Sequence, residues 1–268
     1  MDGRALTAPE FRARKSGEKL VVITCYDAAF ARLVERAGVD AVLVGDSLGN
    51  VIQGRKDTLG VTLDHVAYHT RCVAAGLTRT HLVADMPFLT YQVSPEEALR
   101  NAGRLVVEGG ADAVKLEGGV RSSTAIRRIV DAGIPVMGHV GLTPQSVHQF
   151  GGYKVQGRQE AAARQVMEDA QAVADAGAYS LVLEGIPADL ARAVTDAIPI
   201  PTIGIGASAN CDGQVLVLYD LLGMDDSFNP RFLKKYENLS ERVPGAIATY
   251  AAEVRAGTFP DEAHSHKG

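Results

Sequence analysis

Short hydrophobic runs alternate with longer amphipathic stretches along most of the chain. Eight of these runs are rich in Val, Ile and Leu and have the length of a strand. Continuous apolar strands separated by helix-length segments are typical of a parallel sheet built from βα units. The predicted strands are Leu20–Tyr26, Ala41–Asp46, His81–Asp85, Ala113–Glu117, Val136–Val140, Ser180–Glu184, Pro201–Gly206 and Val215–Tyr219.

The amphipathic stretches between these runs predict helices, and several of them carry clear end signals. Gly38, Gly133 and Gly177 each follow an Ala at the end of a stretch, where glycine commonly caps a helix. Ser94 precedes Pro95 and two glutamates, which is the pattern of a helix start. The predicted helices include Ala28–Ala37, Pro95–Glu108, Thr124–Ala132, Glu160–Ala176 and Ala188–Ala197.

Eight alternating strands and helices predict one closed (β/α)8 TIM barrel. A chain of 268 residues, 46% of them hydrophobic, has the size and the apolar content of such a barrel. We expect residues 1–268 to form a single domain with no linker or repeat. Further helix is expected from about Phe228 to Gly257, followed by a short flexible tail at about 260–268.

Charge and composition narrow the class of function. The formal net charge is −5, and Lys and Arg are dispersed, so we expect small-molecule substrates and no nucleic-acid partner. The first residues lack the apolar core of a signal peptide, and no later run is long enough to span a bilayer. The three cysteines have neither disulfide nor zinc spacing, and a soluble cytoplasmic protein is therefore expected.

Acidic residues stand at the ends of several predicted strands. In an α/β barrel the reaction site lies at the carboxyl ends of the strands, which would bring these acids to one rim. A hard divalent cation such as Mg2+ makes a carboxylate cluster tolerable, so we predict a metal site at Asp46, Asp85 and Glu117. Open coordination positions could then accept a 2-oxo acid. Alternatively, each acid caps the following helix or pairs with a nearby Arg.

Three further polar residues at strand ends are candidates for the chemistry. Lys115 lies two residues before Glu117 and shares its face of the strand, where it could neutralise a substrate carboxylate, form a Schiff base, or pair with Glu117. Glu184 ends a strongly apolar run, so burial should raise its pKa and suit it to act as general base. His139 is a possible additional catalytic group, or a hydrogen-bonding wall residue.

A glycine-rich segment from Gly141 to Gly157 is too long for a simple βα turn. We expect it to close over the mouth of the barrel. There it would exclude water from an enolate of the 2-oxo acid, which the predicted metal would stabilise.

Several segments together resemble the ketopantoate hydroxymethyltransferase family over nearly the whole chain. The matching segments are Thr24–Asp27, Leu43–Gly49, Tyr68–Thr70, Ala84–Phe88, Val114–Gly119, Gly138–Ser146, Phe150–Gly157 and Ile203–Asp212.

The resemblance implies a TIM barrel that transfers a one-carbon unit from 5,10-methylenetetrahydrofolate, the cosubstrate, to 3-methyl-2-oxobutanoate. The product would be 2-dehydropantoate, a precursor of pantothenate, and the cofactor one Mg2+ per subunit. It places Asp46, Asp85 and Glu117 at the metal and makes Glu184 the proton acceptor. The oxo acid would contact Asp46, Ser47, Asp85 and Lys115. Family members form large homo-oligomers, commonly decamers, which is the state expected here.

Two other functions remain open from the residues alone. A magnesium-dependent lyase or mutase of the phosphoenolpyruvate mutase kind would share the barrel, the metal and the enolate chemistry. A barrel that binds a metabolite without catalysis is a different class, although the set of acids and Lys115 argues against it. Dependence on tetrahydrofolate would distinguish the transferase from the lyase or mutase. Metal-dependent turnover would exclude the barrel without catalysis.

Overall fold

A computed structural model of the chain describes residues 6–266. All eight strands are parallel, and they close into a barrel in chain order, with the last strand paired to the first. The strands are β1 (Leu20–Thr24), β2 (Ala41–Val44), β3 (His81–Asp85), β4 (Ala113–Glu117), β5 (Val136–Gly141), β6 (Ser180–Glu184), β7 (Thr202–Ile205) and β8 (Gly213–Leu216). The predicted (β/α)8 barrel is therefore confirmed.

Helices follow most of the strands. They are α1 (Ala8–Arg12), α2 (Ala28–Arg36), α3 (Leu48–Val51), α4 (Leu63–Ala74), α5 (Pro95–Val107), α6 (Ser123–Val130), α7 (Val147–Phe150), α8 (Glu160–Asp175), α9 (Ala188–Ala197), α10 (Leu218–Leu221) and α11 (Leu239–Ala256). Within residues 6–266, no helix has both the length and the apolar character needed to cross a membrane.

The predicted helix ends agree with the structure to within two residues. Gly38, Gly133 and Gly177 all have positive φ angles, as expected of glycines that follow a helix end. Ser94 accepts a hydrogen bond from the backbone N–H of Glu97, and Pro95 is the first residue of α5. Local sequence signals therefore set these boundaries.

The eighth strand lies earlier in the chain than predicted. It spans Gly213–Leu216 instead of Val215–Tyr219, and α10 begins at Leu218. Gly213 pairs with Leu20 of β1, and a Cβ at this position would collide with the carbonyl oxygen of Leu20. Only glycine allows this close approach of two strands, and an apolar run alone does not reveal it.

The barrel interior is filled by alternate residues of the strands. Val83, Met137 and Val182 belong to one buried hydrophobic cluster. Phe11 of α1 joins the cluster from the amino-terminal end of the strands, where its ring stands edge-on to that of Tyr179 at 5.4 Å between centroids. The interior is therefore closed at one end, and the reactive groups lie at the other.

Within residues 6–266, the chain divides into two compact units, with the boundary between Val217 and Leu218. In the second unit, the backbone N–H of Tyr236 donates to the carbonyl oxygen of Leu221, so the chain folds back onto α10. Helix was predicted from about Phe228, but α11 begins only at Leu239. The prediction of one domain and a flexible tail stays a prediction; residues 267–268 of that tail lie outside the described part of the chain.

Candidate active site

The reactive side chains reach the barrel interior because of the two-residue period of the strands. On β4, Lys115 and Glu117 share the face of the buried Ala113, which belongs to the core cluster. On β6, Glu184 shares the face of the core residue Val182. Because all the strands are parallel, such residues at their carboxyl ends meet at one end of the barrel.

Asp46, Asp85 and Lys115 form a buried charged group at this end. The backbone N–H of Asp46 donates to Asp85 Oδ2 at 3.3 Å, and Lys115 Nζ lies 2.9 Å from Asp85 Oδ1. Burial raises the pKa of Asp85 to about 7 against the opposing effect of Lys115. The ion pair thus joins neighbouring strands, since Asp85 and Lys115 are partners in the β3–β4 register.

The charge state of Lys115 bears on its predicted roles. Burial opposes the positive charge, but the carboxylates of Asp85, Glu117 and Asp46 outweigh this effect and raise the pKa of Lys115. A protonated amine can bind a substrate carboxylate, whereas a Schiff base requires the neutral amine. The geometry therefore favours the first role, and the pairing partner of Lys115 is Asp85, not Glu117 as one alternative supposed.

His139 lies between the two glutamates of the site. Its Nδ1 is 3.3 Å from Lys115 Nζ and 3.5 Å from Glu117 Oε1, while its Nε2 is 3.2 Å from Glu184 Oε2. Burial and the charge of Lys115 lower the pKa of His139 well below its usual value. The ring is therefore neutral. Because Lys115 donates to Nδ1, the ring hydrogen lies on Nε2, which faces Glu184 at an angle unsuited to a hydrogen bond.

Glu184 differs from the other acids in its access to the barrel mouth. Its side chain is 21% exposed, whereas those of Asp85, Glu117 and His139 are fully buried. Burial of its carboxyl group nevertheless raises the pKa of Glu184 to about 7, against the effect of Lys115. A carboxylate that is reachable and titrates near neutral pH is suited to proton transfer.

Two residues of this site were not predicted from the sequence. The Gln145 amide Nε2 donates to Asp46 Oδ2 at 2.9 Å, and its backbone N–H donates to Glu117 Oε2 at 3.1 Å. The Tyr91 hydroxyl donates to Gln145 Oε1 at 2.7 Å. Tyr91 lies in the loop after β3 and Gln145 in a short 3-10 helix after β5, so a search restricted to strand ends overlooks them. Gln145 stands inside the glycine-rich Gly141–Gly157 segment, which was the available signal.

Ser47 lies beside the acids, directly after Asp46. Its Oγ is 2.8 Å from the Tyr26 hydroxyl, which in turn donates to Thr24 Oγ1 at 2.9 Å. Ser47 is half-buried, so its hydroxyl is held by protein while part of the residue stays open to solvent.

The Gly141–Gly157 segment is fastened beside Glu184. The backbone N–H of Gln156 donates to the carbonyl oxygen of Gly185 at 2.9 Å. Tyr153 projects from this segment, and partial burial together with the negative charges of Asp57 and Asp46 raises its pKa. The segment therefore lies near the acidic mouth, as a covering loop requires, although Tyr153 itself is 55% exposed.

A cavity of about 550 Å3 opens beside Glu117 and Gln145. Its lining includes Glu117 and Gln145 on the inner side, and Phe88, Arg121 and Gln149 further out. This is space for a small molecule next to the buried carboxylate of Glu117, whereas Asp46, Asp85, Lys115 and Glu184 do not line it.

The donor set suits a hard divalent cation. Within residues 6–266, no three His, Cys, Asp or Glu side chains are arranged as a ready metal site. Asp46 and Asp85 are nevertheless adjacent, and Mg2+ commonly uses only one or two carboxylates and keeps several waters. Glu117 Oε1 is buried without a hydrogen-bond partner, which is a further oxygen able to accept from such a water. The three-carboxylate site stays a prediction.

Comparison with known proteins identifies the family. The family model described as ketopantoate hydroxymethyltransferase matches residues 5–262. The 3-methyl-2-oxobutanoate hydroxymethyltransferase of Syntrophus aciditrophicus (strain SB) is 54% identical over 264 residues, which cover 98% of this chain and 97% of that protein. This chain belongs to the ketopantoate hydroxymethyltransferase family. The predicted family and the predicted enzyme class are thereby confirmed.

Solved structures with lower similarity share the barrel. The phosphoenolpyruvate phosphomutase from Streptomyces platensis subsp. rosaceus has a TM-score of 0.62 at 15% identity, covering 97% of this chain and 92% of that one. A phosphonopyruvate hydrolase in complex with oxalate and Mg2+ has a TM-score of 0.61 at 14% identity, with 97% and 92% coverage. At these identities the likeness shows the fold alone. The family match therefore outweighs the alternative of a mutase or lyase.

Proposed function

We propose that the chain transfers a one-carbon unit from 5,10-methylenetetrahydrofolate to 3-methyl-2-oxobutanoate and forms 2-dehydropantoate for pantothenate biosynthesis. The observation that carries this proposal is the arrangement of Glu184. It is a reachable carboxylate with a pKa of about 7 that lies 3.2 Å from His139, at the same end of the barrel as the acids Asp46 and Asp85 and the cation Lys115. This arrangement suits proton removal next to a carbonyl group that is polarised from the opposite side.

We assign the cation to Asp46 and Asp85, with Glu117 completing the acidic set. When bound, Mg2+ would act as a Lewis acid that stabilises negative charge on the keto oxygen of the oxo acid. The phosphonopyruvate hydrolase of the same fold was solved with Mg2+ and oxalate, a compact dianion with adjacent carboxylates. For this chain, the support is the buried acidic oxygens themselves.

Lys115 and Ser47 are proposed to hold the carboxylate of the oxo acid. Lys115 carries its charge at the inner side of the site, and Ser47 presents a hydroxyl that is fixed by Tyr26. A charge-assisted hydrogen bond to a carboxylate is about twice as strong as a neutral one. Together they would fix the orientation of C3 toward Glu184.

Glu184 is proposed to remove the proton from C3 of the oxo acid, after which C3 forms a bond to the methylene carbon of the folate. Both carbon–nitrogen bonds of that carbon break, tetrahydrofolate leaves with its two nitrogens protonated, and one water supplies the hydroxyl group of 2-dehydropantoate. The C–H bond electrons form the enolate, and the carboxyl group of Glu184 holds the proton. His139 Nε2–H faces Glu184 Oε2 at 3.2 Å, so a small rotation would let it support the ionised carboxylate. The Gly141–Gly157 segment would exclude water from the enolate.

The first test measures the overall reaction. Purified protein is mixed with 3-methyl-2-oxobutanoate and 5,10-methylenetetrahydrofolate, once with Mg2+ and once with excess EDTA. We expect 2-dehydropantoate to form only with the metal. Product formation that is equally fast in EDTA would contradict the cation, and no product in either condition would contradict the function.

A second test isolates the role of Glu184. Exchange of the C3 hydrogen for deuterium requires proton removal but no folate. Because acid–base groups contribute about 10² to 10⁴-fold to a rate, Glu184→Gln should slow exchange by that factor while the oxo acid still binds. Glu168→Gln, an exposed position on α8, is the matched control and should exchange normally. Normal exchange in Glu184→Gln would show that another base acts.

We further propose a homo-oligomer located in the cytoplasm, on the basis of the family resemblance. Sedimentation equilibrium measures the number of subunits, and a monomeric mass would contradict the proposal.

A further inference from the structure

A chain of hydrogen bonds runs between two of the buried acids at the barrel end. It begins at the backbone N–H of Glu117, which donates to the Tyr91 hydroxyl at 3.2 Å. The hydroxyl donates to Gln145 Oε1 at 2.7 Å, and Gln145 Nε2 donates to Asp46 Oδ2 at 2.9 Å. Each of the four residues is at most 5% exposed, so water does not compete for these groups. We refer to the Tyr91 and Gln145 side chains as the relay.

The direction of the relay is fixed by chemistry. A backbone N–H can only donate, so the Tyr91 oxygen accepts from Glu117 and its own hydrogen points to Gln145 Oε1. Gln145 Nε2 also donates to the carbonyl oxygen of Met86 at 3.0 Å, and a carbonyl oxygen can only accept. The orientation of the amide is therefore set independently at both of its ends.

This direction has a consequence for Asp46. Its Oδ2 receives a hydrogen bond from a neutral amide, which holds the carboxylate in one position and adds no further charge. Asp46 Oδ1 is not engaged by the relay and is the oxygen left for a ligand. The relay also links the ends of three strands, because Asp46 follows β2, Met86 follows β3 and Glu117 ends β4.

We propose that Tyr91 and Gln145 are positioning residues that align Asp46 for a bound divalent cation. The inference rests on the proposed function, since it assumes that Asp46 holds the ion. Groups that orient metal ligands typically change metal affinity by about 10 to 100-fold when they are replaced. A relay with a purely structural role would instead lower stability and leave the affinity of the folded protein unchanged.

The test measures cation affinity in the resting protein without substrate. Mn2+ is titrated into metal-free protein, and binding is followed by isothermal titration calorimetry well below the unfolding temperature. Gln145→Met keeps the volume but removes both amide groups, and we expect it to weaken Mn2+ binding by about 10-fold or more. Tyr91→Phe removes only the hydroxyl and should weaken binding in the same direction by a smaller factor.

The double variant tests whether Tyr91 acts through Gln145. If it does, Tyr91→Phe combined with Gln145→Met should bind Mn2+ no more weakly than Gln145→Met alone, because the two effects share one path. Gln165→Met is the matched control, since Gln165 is an exposed glutamine of α8 that does not line the cavity beside the acids. It should bind Mn2+ as the unaltered protein does.

The outcomes separate this inference from the proposed function. Unaltered affinity in folded Gln145→Met overturns the relay, and if that variant does not fold, unaltered affinity in Tyr91→Phe overturns it instead. Additive losses in the double variant would show that Tyr91 acts independently of Gln145. If the unaltered protein binds no Mn2+, the cation of the proposed function is wrong. That result differs from Mn2+ binding that is unchanged when Tyr91 and Gln145 are replaced, which contradicts only the relay.

Discussion

Each end of the barrel contains a buried aspartate paired with a lysine, but the two surroundings differ. At the amino-terminal end, Asp212 accepts from Lys15 Nζ at 2.9 Å, from the backbone N–H of Ser16 at 2.8 Å and from that of Thr202 at 2.9 Å. At the carboxyl-terminal end, Asp85 has Lys115 and a 3.3 Å hydrogen bond from the backbone N–H of Asp46.

The pKa shifts of the two aspartates go in opposite directions. Burial alone would raise the pKa of Asp212, but its donors outweigh burial and lower it. For Asp85, burial and the neighbouring Asp46 outweigh Lys115 and raise the pKa to about 7. The folded protein thus favours the ionised form of Asp212 at the amino-terminal end and disfavours the ionised form of Asp85 at the carboxyl-terminal end.

This difference separates stability from function along the axis of the barrel. Residues that bind ligands or take part in a reaction often reduce stability, because a polar group whose hydrogen bonds are all made within the protein cannot also bind a ligand. Asp212 is such a satisfied group. The acids at the other end retain unused oxygens, including Glu117 Oε1. Substitutions at the two ends should therefore have opposite effects on folding and activity.

The largest effect on stability is expected at the amino-terminal end. Asp212→Ala removes the acceptor for Lys15, Ser16 and Thr202, and breaking a largely buried pair costs about 3 to 5 kcal/mol. Urea unfolding measures this loss. Activity per folded molecule should remain, because Asp212 lies far from the catalytic end. The exposed Glu168→Ala is the control and should stay within about 0.5 kcal/mol.

The strands and the inward-facing acids could be predicted because they depend on local patterns. Apolar runs that end in Asp46, Asp85, Glu117 and Glu184 already contain both the strand and its direction. The two-residue period then places Lys115 and Glu117 on one face without further information. For β8 the local pattern was insufficient, because its position depends on contact between Gly213 and Leu20, which are far apart in the chain.

The partners within the site could not be predicted from the same patterns. Lys115 pairs with Asp85 and not with the nearby Glu117, because the register between β3 and β4 places them side by side. Tyr91 and Gln145, 54 positions apart in sequence, meet only through the packing of the connections that follow β3 and β5. Sequence spacing fixes which face of a strand a residue occupies, but pairing across strands and loops is decided by the folded structure.

A smaller effect of opposite sign is expected at the catalytic end. Burial and the charge of Asp46 raise the pKa of Glu117 well above its usual value, so folding at neutral pH must either protonate this side chain or bury its charge, and both cost free energy. Glu117→Gln removes that charge and should raise the free energy of unfolding in EDTA by about 1 kcal/mol. The gain should shrink as the pH falls toward 4.5, because Glu117 then becomes protonated in the unfolded chain as well.

Urea unfolding of Glu117→Gln and the unaltered protein at pH 7 and pH 5 measures this gain. Glu168→Gln serves as control and should unfold like the unaltered protein at both pH values. A clear loss of stability in Glu117→Gln at pH 7 would mean that the acid supports the fold, which would remove the contrast with Asp212.

An effect of similar size is expected from Glu35, which links α2 to the residues before β3 at the amino-terminal end. Its Oε1 accepts from the backbone N–H groups of Thr78 and Arg79, both at 2.8 Å. Partial burial opposes ionisation, but these hydrogen bonds and those from the Thr78 and Thr80 hydroxyls outweigh it and lower the pKa to about 2. Because the site is partly open to solvent, Glu35→Gln should cost only about 1 kcal/mol at pH 7.

The stability difference between Glu35→Gln and the unaltered protein should also depend on pH. Since folding lowers the pKa of Glu35 from 4.5 to about 2, its contribution is complete above pH 4.5 and is lost as the pH falls toward 2. Urea unfolding at pH 7 and pH 3 should therefore show the Glu35→Gln difference shrinking on acidification. Glu18→Gln, which alters an exposed pair with Arg14, should have little effect at either pH. Greater stability of Glu35→Gln than of the unaltered protein at pH 7 would mean that the amino-terminal end, like the catalytic end, carries unfavourable charge.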